Sequence, residues 1–102
     1  MPLAQKSRRP NVVEVIFGIN LNTFEVERIT VGRDGTLAKR ERDGSTSIHK
    51  LPSDTSLEVE VRSFYNLTNL LFRPPGTNFE TDPEVLRLTG KAEDLKRARQ
   101  AR

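Results

Sequence analysis

The sequence predicts an α+β, mainly β domain: one antiparallel β-meander of about five strands, curled or closed into a small barrel, with a short helix and a C-terminal helix. Three observations predict it. Apolar residues alternate with polar ones over residues 12–21, which is the period of a strand with one buried side. The phrase Arg33-Asp34-Gly35-Thr36 returns nine residues later as Arg42-Asp43-Gly44-Ser45, and Asp-Gly between alternating segments is hairpin chemistry. Thr81-Asp82-Pro83-Glu84 then reads as a capping box with proline in the first turn, the start of a helix.

In the first strand Val13, Val15, Phe17, Ile19 and Leu21 share one face, with Glu14, Gly18 and Asn20 on the other. Val12 and Ile16 make that second face partly apolar. Asn22-Thr23 is a turn. The second strand runs from Phe24 to about Gly32. Phe24 and Val26 share one register and Ile29 and Val31 the other, so a β-bulge is expected around Glu27-Arg28.

The hairpin after it has two solutions. A two-residue Asp34-Gly35 turn pairs Val31 with Ala38. A three-residue Arg33-Asp34-Gly35 loop pairs Val31 with Leu37, joins two apolar side chains, and gives glycine the left-handed position. The second is preferred. Asp43-Gly44 makes the next bend, and residues 45–51 are the return strand. A calcium loop needs several oxygen ligands at alternate positions, and this segment lacks them.

Pro52-Ser53-Asp54 is a further turn. Residues 57–62, LEVEVR, alternate again and read as a strand. Phe64, Leu67, Leu70 and Leu71 recur at three and four, which predicts a short helix begun at Ser63. Arg73-Pro74-Pro75-Gly76 ends it, and residues 73–80 are a loop pinned by Phe79. In the last helix Val85, Leu88, Ala92 and Leu95 form a narrow stripe. Gly90 is expected to bend it, and its end to fray unless bound.

The chain has 102 residues, 34% hydrophobic, with no cysteine and no tryptophan. That is room for one domain with a thin core. Disulfides, thiolate metal sites and a cysteine nucleophile are excluded. No apolar run reaches the roughly 18 residues of a membrane span, and nothing reads as a classical signal peptide. The expectation is a cytoplasmic or virion-associated protein, and Asn66-Leu67-Thr68 is then a chance glycosylation sequon.

Charge is uneven. Residues 1–10 carry Lys6, Arg8 and Arg9, and residues 91–102 carry five bases against Glu93 and Asp94. The body, 11–90, holds nine bases and twelve acids. A division follows: a basic flexible N-terminal arm 1–10, a compact β-rich domain 11–90 that includes the start of the C-terminal helix, and a basic C-terminal helical tail 91–102. Basic arms on an acidic body suit an anionic partner.

Catalytic constellations are missing. His49 is the only histidine, with Asp43 and Asp54 the nearest acids. It reads as a solvated residue on a strand edge, so its replacement by alanine should change nothing. The acids Glu14, Glu25, Glu27, Glu58 and Glu60 read as the wet face of a half-exposed sheet. No cofactor or metal is expected. Lys39-Arg40-Glu41-Arg42, with Arg33 and Lys50 nearby, is either a phosphate-contacting patch or an edge strand protected by charge. The expected contact residues are Lys6, Arg8, Arg9, Arg33, Lys39, Arg40, Arg42, Lys96, Arg97, Arg99 and Arg102.

The stretch NLTNLLFRPPGTNFETDPE, under a fifth of the chain, resembles a helix-then-Arg-Pro-Gly stretch of phage baseplate wedge proteins. That resemblance implies a virion component.

The expected function is a non-enzymatic binding or assembly protein. Its β domain and basic arms dock onto a larger protein assembly. The alternatives are a small nucleic-acid-binding protein using the arms and the basic strand patch, and an inhibitor or regulator of a larger enzyme.

Overall fold

A computed structural model describes residues 12–101. Strands β1 (Val12–Asn20), β2 (Val26–Gly32), β3 (Thr36–Arg40) and β4 (Thr46–Lys50) form a meander. Helix α1 (Leu57–Phe64) leads to β5 (Leu67–Arg73), and helix α2 (Pro83–Gln100) ends the chain. The antiparallel sheet has the order β4-β3-β2-β1-β5. The fifth strand thus returns to the free side of β1. The sheet stays open, with β4 and β5 as edges, and does not close into a barrel.

Each face of the sheet carries its own core, which explains why β1 is apolar on both sides. Ile16, Ile29, Val31, Leu37 and Leu67 pack with Val61 and Tyr65 of the α1 segment. Val15, Phe17 and Ile19 pack with Val85, Leu88 and Ala92 of α2. The second strand needs no bulge at Glu27-Arg28: its register on β1 runs evenly from Val31 opposite Glu14 to Val26 opposite Ile19. Val26 packs toward α2, whereas Ile29 and Val31 pack toward α1. The switch of apolar register is two covered faces, not a kink. The irregularities lie at Val12/Glu14 against β2 and at Phe17/Ile19 against β5.

The repeated phrase is two turns of the meander. Val31 stands opposite Leu37, as the three-residue loop requires. Gly35 N–H donates to the Gly32 carbonyl at 3.0 Å, with Gly35 at φ +85°. In both phrases the aspartate accepts the amide two residues on: Asp34 Oδ1 from Thr36 at 3.1 Å and Asp43 Oδ1 from Ser45 at 2.9 Å. The side chain thus replaces a backbone acceptor in each bend.

Residues 57–73 reverse the expected order. LEVEVR is helical, because Ser56 Oγ accepts Val59 N–H at 3.2 Å as an N-cap. Leu57, Val61 and Tyr65 then fall on the sheet at spacings of four. Glu58 and Arg62 pair at 3.1 Å on the outer side. The following leucines are strand β5, not helix, so the helix on which the baseplate-wedge resemblance depends is absent here. Asn66 and Asn69, at φ 58° and 55°, hold left-handed positions that asparagine tolerates.

The N-cap of α2 is Asp82 rather than Thr81. Its Oδ1 accepts Glu84 N–H at 2.9 Å and Val85 N–H at 3.3 Å. The helix runs unbroken through Gly90, where a bend was expected. Its end is docked, not frayed: Leu95 joins the core, and Arg99 lies 4.4 Å from the Phe24 ring centre and donates to the Asn22 carbonyl at 2.9 Å.

The start of α2 is also an electrostatic anchor. Arg73 pairs with Asp82 at 2.8 Å and with Glu84 at 3.2 Å. The Arg73 hydrogen bond, followed by the helix amides, holds the Asp82 carboxyl below its ordinary range. Arg42 does the same for Glu25, and hydrogen bonds from Thr36 and Ser45 do so for Asp34 and Asp43. A carboxylate with a depressed folded-state pKa stabilises above its unfolded value, near pH 4, and that contribution vanishes as pH falls through the folded value. Stability is therefore expected to decline below about pH 4. Asp82→Asn keeps a capping oxygen but lacks the charge, so its loss relative to wild type should be larger at neutral pH than in acid. Urea midpoints at the two pH values check this.

Candidate docking face

Alternation in the strands scatters the expected contact residues. Lys6, Arg8, Arg9 and Arg102 lie outside the described residues. Lys39 points to the α1 side, where its Nζ is 3.1 Å from Glu27 and 3.6 Å from Glu41. Arg42 pairs with Glu25 at 2.7 Å, and Lys96 reaches the same carboxylate at 3.5 Å. Arg97 pairs with Asp94, and Arg99 is docked on Phe24. Arg33 is exposed in the β2–β3 turn. Arg40 is the one expected strand residue that points to the α2 side, and no ion pair among the described residues reaches it.

That side of β2–β4 holds residues the sequence reading left apart. Thr30 stands opposite Ala38, and Ala38 opposite Ile48. One step along, the same register sets Arg28 beside Arg40 and Arg40 beside Thr46. Thr36 is opposite Lys50 at the other end. Within strands β2–β4 no aspartate or glutamate alternates onto this face, and no ion pair among the described residues reaches Arg28, Arg40 or Lys50. Two arginines side by side repel each other, and among the described residues no carboxylate forms an ion pair with either. Ile48 lies between Thr46 and Lys50 and is 65% exposed.

The arrangement forms an open trough of about 1070 Å³, with Arg28, Thr30, Ala38, Arg40 and Thr46 along its floor and Glu25 and Asp43 also among its lining residues. The Glu25–Arg42 pair closes one end. Phe79, which the loop before α2 lays against Phe17, flanks Arg28 with the guanidinium 5.7 Å from its ring centre. Phe79 thereby pins the loop as expected.

The opposite face corrects the reading of His49. Its Nε2 is 2.6 Å from Glu60 Oε2, and its ring stacks on Phe64 with centroids 3.8 Å apart. This half-buried histidine ties the edge strand β4 to α1. Asp43 and Asp54, close in sequence, play no part. His49→Ala removes a charge-assisted hydrogen bond and a stacked ring, so it is expected to cost about 1–2 kcal/mol in urea unfolding. Nearby, burial and then Glu41 push the Tyr65 phenol up to about 12. Among the described residues no group of three or more His, Asp or Glu side chains converges as a metal site.

The chain matches no protein-family model, no curated protein and no solved structure. No helix of the described residues is long and apolar enough to cross a membrane.

Proposed function

We propose that this chain is a non-enzymatic docking protein whose open β2–β4 face seats on a larger protein partner. The observation that carries this reading is Ile48, 65% exposed on the edge strand β4, beside Lys50 in its own strand and diagonal to Arg40 across the β3–β4 pair. A large exposed apolar side chain with bases and threonines beside it matches the build of a protein interface, an apolar contact with a polar rim. The nucleic-acid reading has less support. A phosphate-tracking surface needs a row of free bases and aromatic platforms. Lys39 and Arg97 each pair with a carboxylate, and Arg42 and Lys96 share Glu25; no stacked row of aromatics lines the trough among the described residues.

The test is affinity capture from the source cells with wild type and Ile48→Asp in parallel. Ile48→Asp is a surface change, expected to shift stability by less than about 0.5 kcal/mol. A protein held by wild type and lost by the variant supports docking through this face. Identical partner sets for the two variants overturn it. Binding to a random duplex that weakens steeply with salt and is lost in Arg40→Glu would put the nucleic-acid reading in its place.

A further inference from the structure

We infer that the element seated on the open face is an amphipathic helix of the partner protein, with acidic residues flanking an apolar stripe, lying alongside α2. This rests on the docking reading above and specifies its partner.

Geometry sets the shape. Neighbouring strands lie about 4.8 Å apart and a helix is about 10 Å across, so one helix covers about two to three strands. On this side α2 packs on β1, β2 and β5. The strip left over β3 and β4, with the outer part of β2, is the width of one more helix. The floor is shallow at Ala38, Thr30 and Thr46, and Ile48 stands up from it. A helix presents residues at i, i+3, i+4 and i+7 to such a strip. A strand added to the free edge of β4 would satisfy its backbone but leave Ile48 and Ala38 uncovered.

Charge sets the chemistry. Lys50 lies beside Ile48 on β4, Arg40 diagonally across on β3 and Arg28 beyond it on β2, and the cross-strand arginine pair is unfavourable until a carboxylate comes between its members. A second copy of the chain meeting this face with its own would set arginine against arginine. Residues 1–11 carry Lys6, Arg8 and Arg9 and no acid, so that segment also brings the wrong sign. A partner helix with Asp or Glu one turn on either side of Leu or Ile satisfies both the bases and Ile48.

The experiment is a selection on the full chain from a display library of single helices of about eighteen residues, one face randomised. The expected winners carry acids around an aliphatic stripe, and Ile48→Asp abolishes their binding. Arg40→Glu weakens them by about tenfold or more, and a lysine placed in the helix opposite position 40 restores the loss. Winners with neutral or basic faces, winners indifferent to Ile48→Asp, or no winners overturn the inference. So does a self-dimer in sedimentation that Ile48→Asp splits. The two readings fail separately. If the natural partner is lost with Ile48→Asp but no acidic helix is selected, docking stands and the helix falls. If Ile48→Asp loses no partner, the docking reading itself falls.

Discussion

Leu37→Ala is expected to lower the unfolding free energy by about 2–5 kcal/mol. Ile48→Ala, one strand away on the opposite face, is expected to cost less than about 0.5 kcal/mol. Leu37 is 0% exposed and packs among Ile29, Val31 and Val61. Its cavity would be walled by two strands and a helix, which collapse poorly onto the space left by an isobutyl group. Ile48 is two-thirds exposed and leaves no cavity. The pair of measurements also tests the hairpin. Side chains on a strand alternate, so a slip of one residue carries the whole strand to its other face. A two-residue turn at Asp34-Gly35 would set Ala38 opposite Val31 and bring Leu37 out. Urea unfolding that shows equal small losses for Leu37→Ala and Ile48→Ala would reject the three-residue loop.

What the sequence disclosed was local. Asp-Gly turns, the Pro83 helix start and the alternation of β1 depend on neighbours within a few residues, and the structure contains each. The reversal at 57–73 came from a segment that satisfies both periods. Leu57, Val59 and Val61 alternate like a strand, while Leu57, Val61 and Tyr65 recur every four. Six residues do not separate the two, and the Ser56 cap with the sheet beneath decides for helix. The leucines of β5 fit a helix stripe until Asn69 is placed at φ 55°, where no helix continues. The bulge expected in β2 failed for another reason: one-sided burial was assumed where a helix covers each face.

The candidate face was less legible than the fold. Lys39 and Arg40 are adjacent in sequence, so they point to opposite sides of the sheet. Arg40's real neighbour is Arg28, twelve residues earlier and visible only once the register is known. Likewise Glu25 finds Arg42 and Lys96 through tertiary structure alone. The one local clue was Ile48, an isolated aliphatic in a strand otherwise polar on both faces.

Gly18→Val is expected to destabilise the protein by about 1–3 kcal/mol, measurable as a lowered urea midpoint with an unchanged slope. Gly18 looks dispensable in sequence, set between apolar residues on what reads as the wet side of β1. In the structure it is buried, and on the β5 side the register advances by three residues for two, from Phe17 opposite Leu71 to Ile19 opposite Thr68. The extra residue is accommodated at Asn69-Leu70, with Asn69 in the left-handed region. That bulge lays Leu70 over Gly18. A Cβ added there would sit 3.0 Å from Leu67 Cβ and 3.0 Å from Leu70 Cδ2. Leu70 is half-buried and can turn away, whereas Leu67 is 1% exposed and its Cβ moves only with the backbone. The cost therefore falls on the β1–β5 contact, the strand pairing that joins the fifth strand to the meander. Leu70→Ala in the Gly18→Val background frees one of the two clashes and not the other, so it should recover part of the loss. Full recovery would place the strain on the flexible leucine alone, and no recovery would place it in the strand pairing.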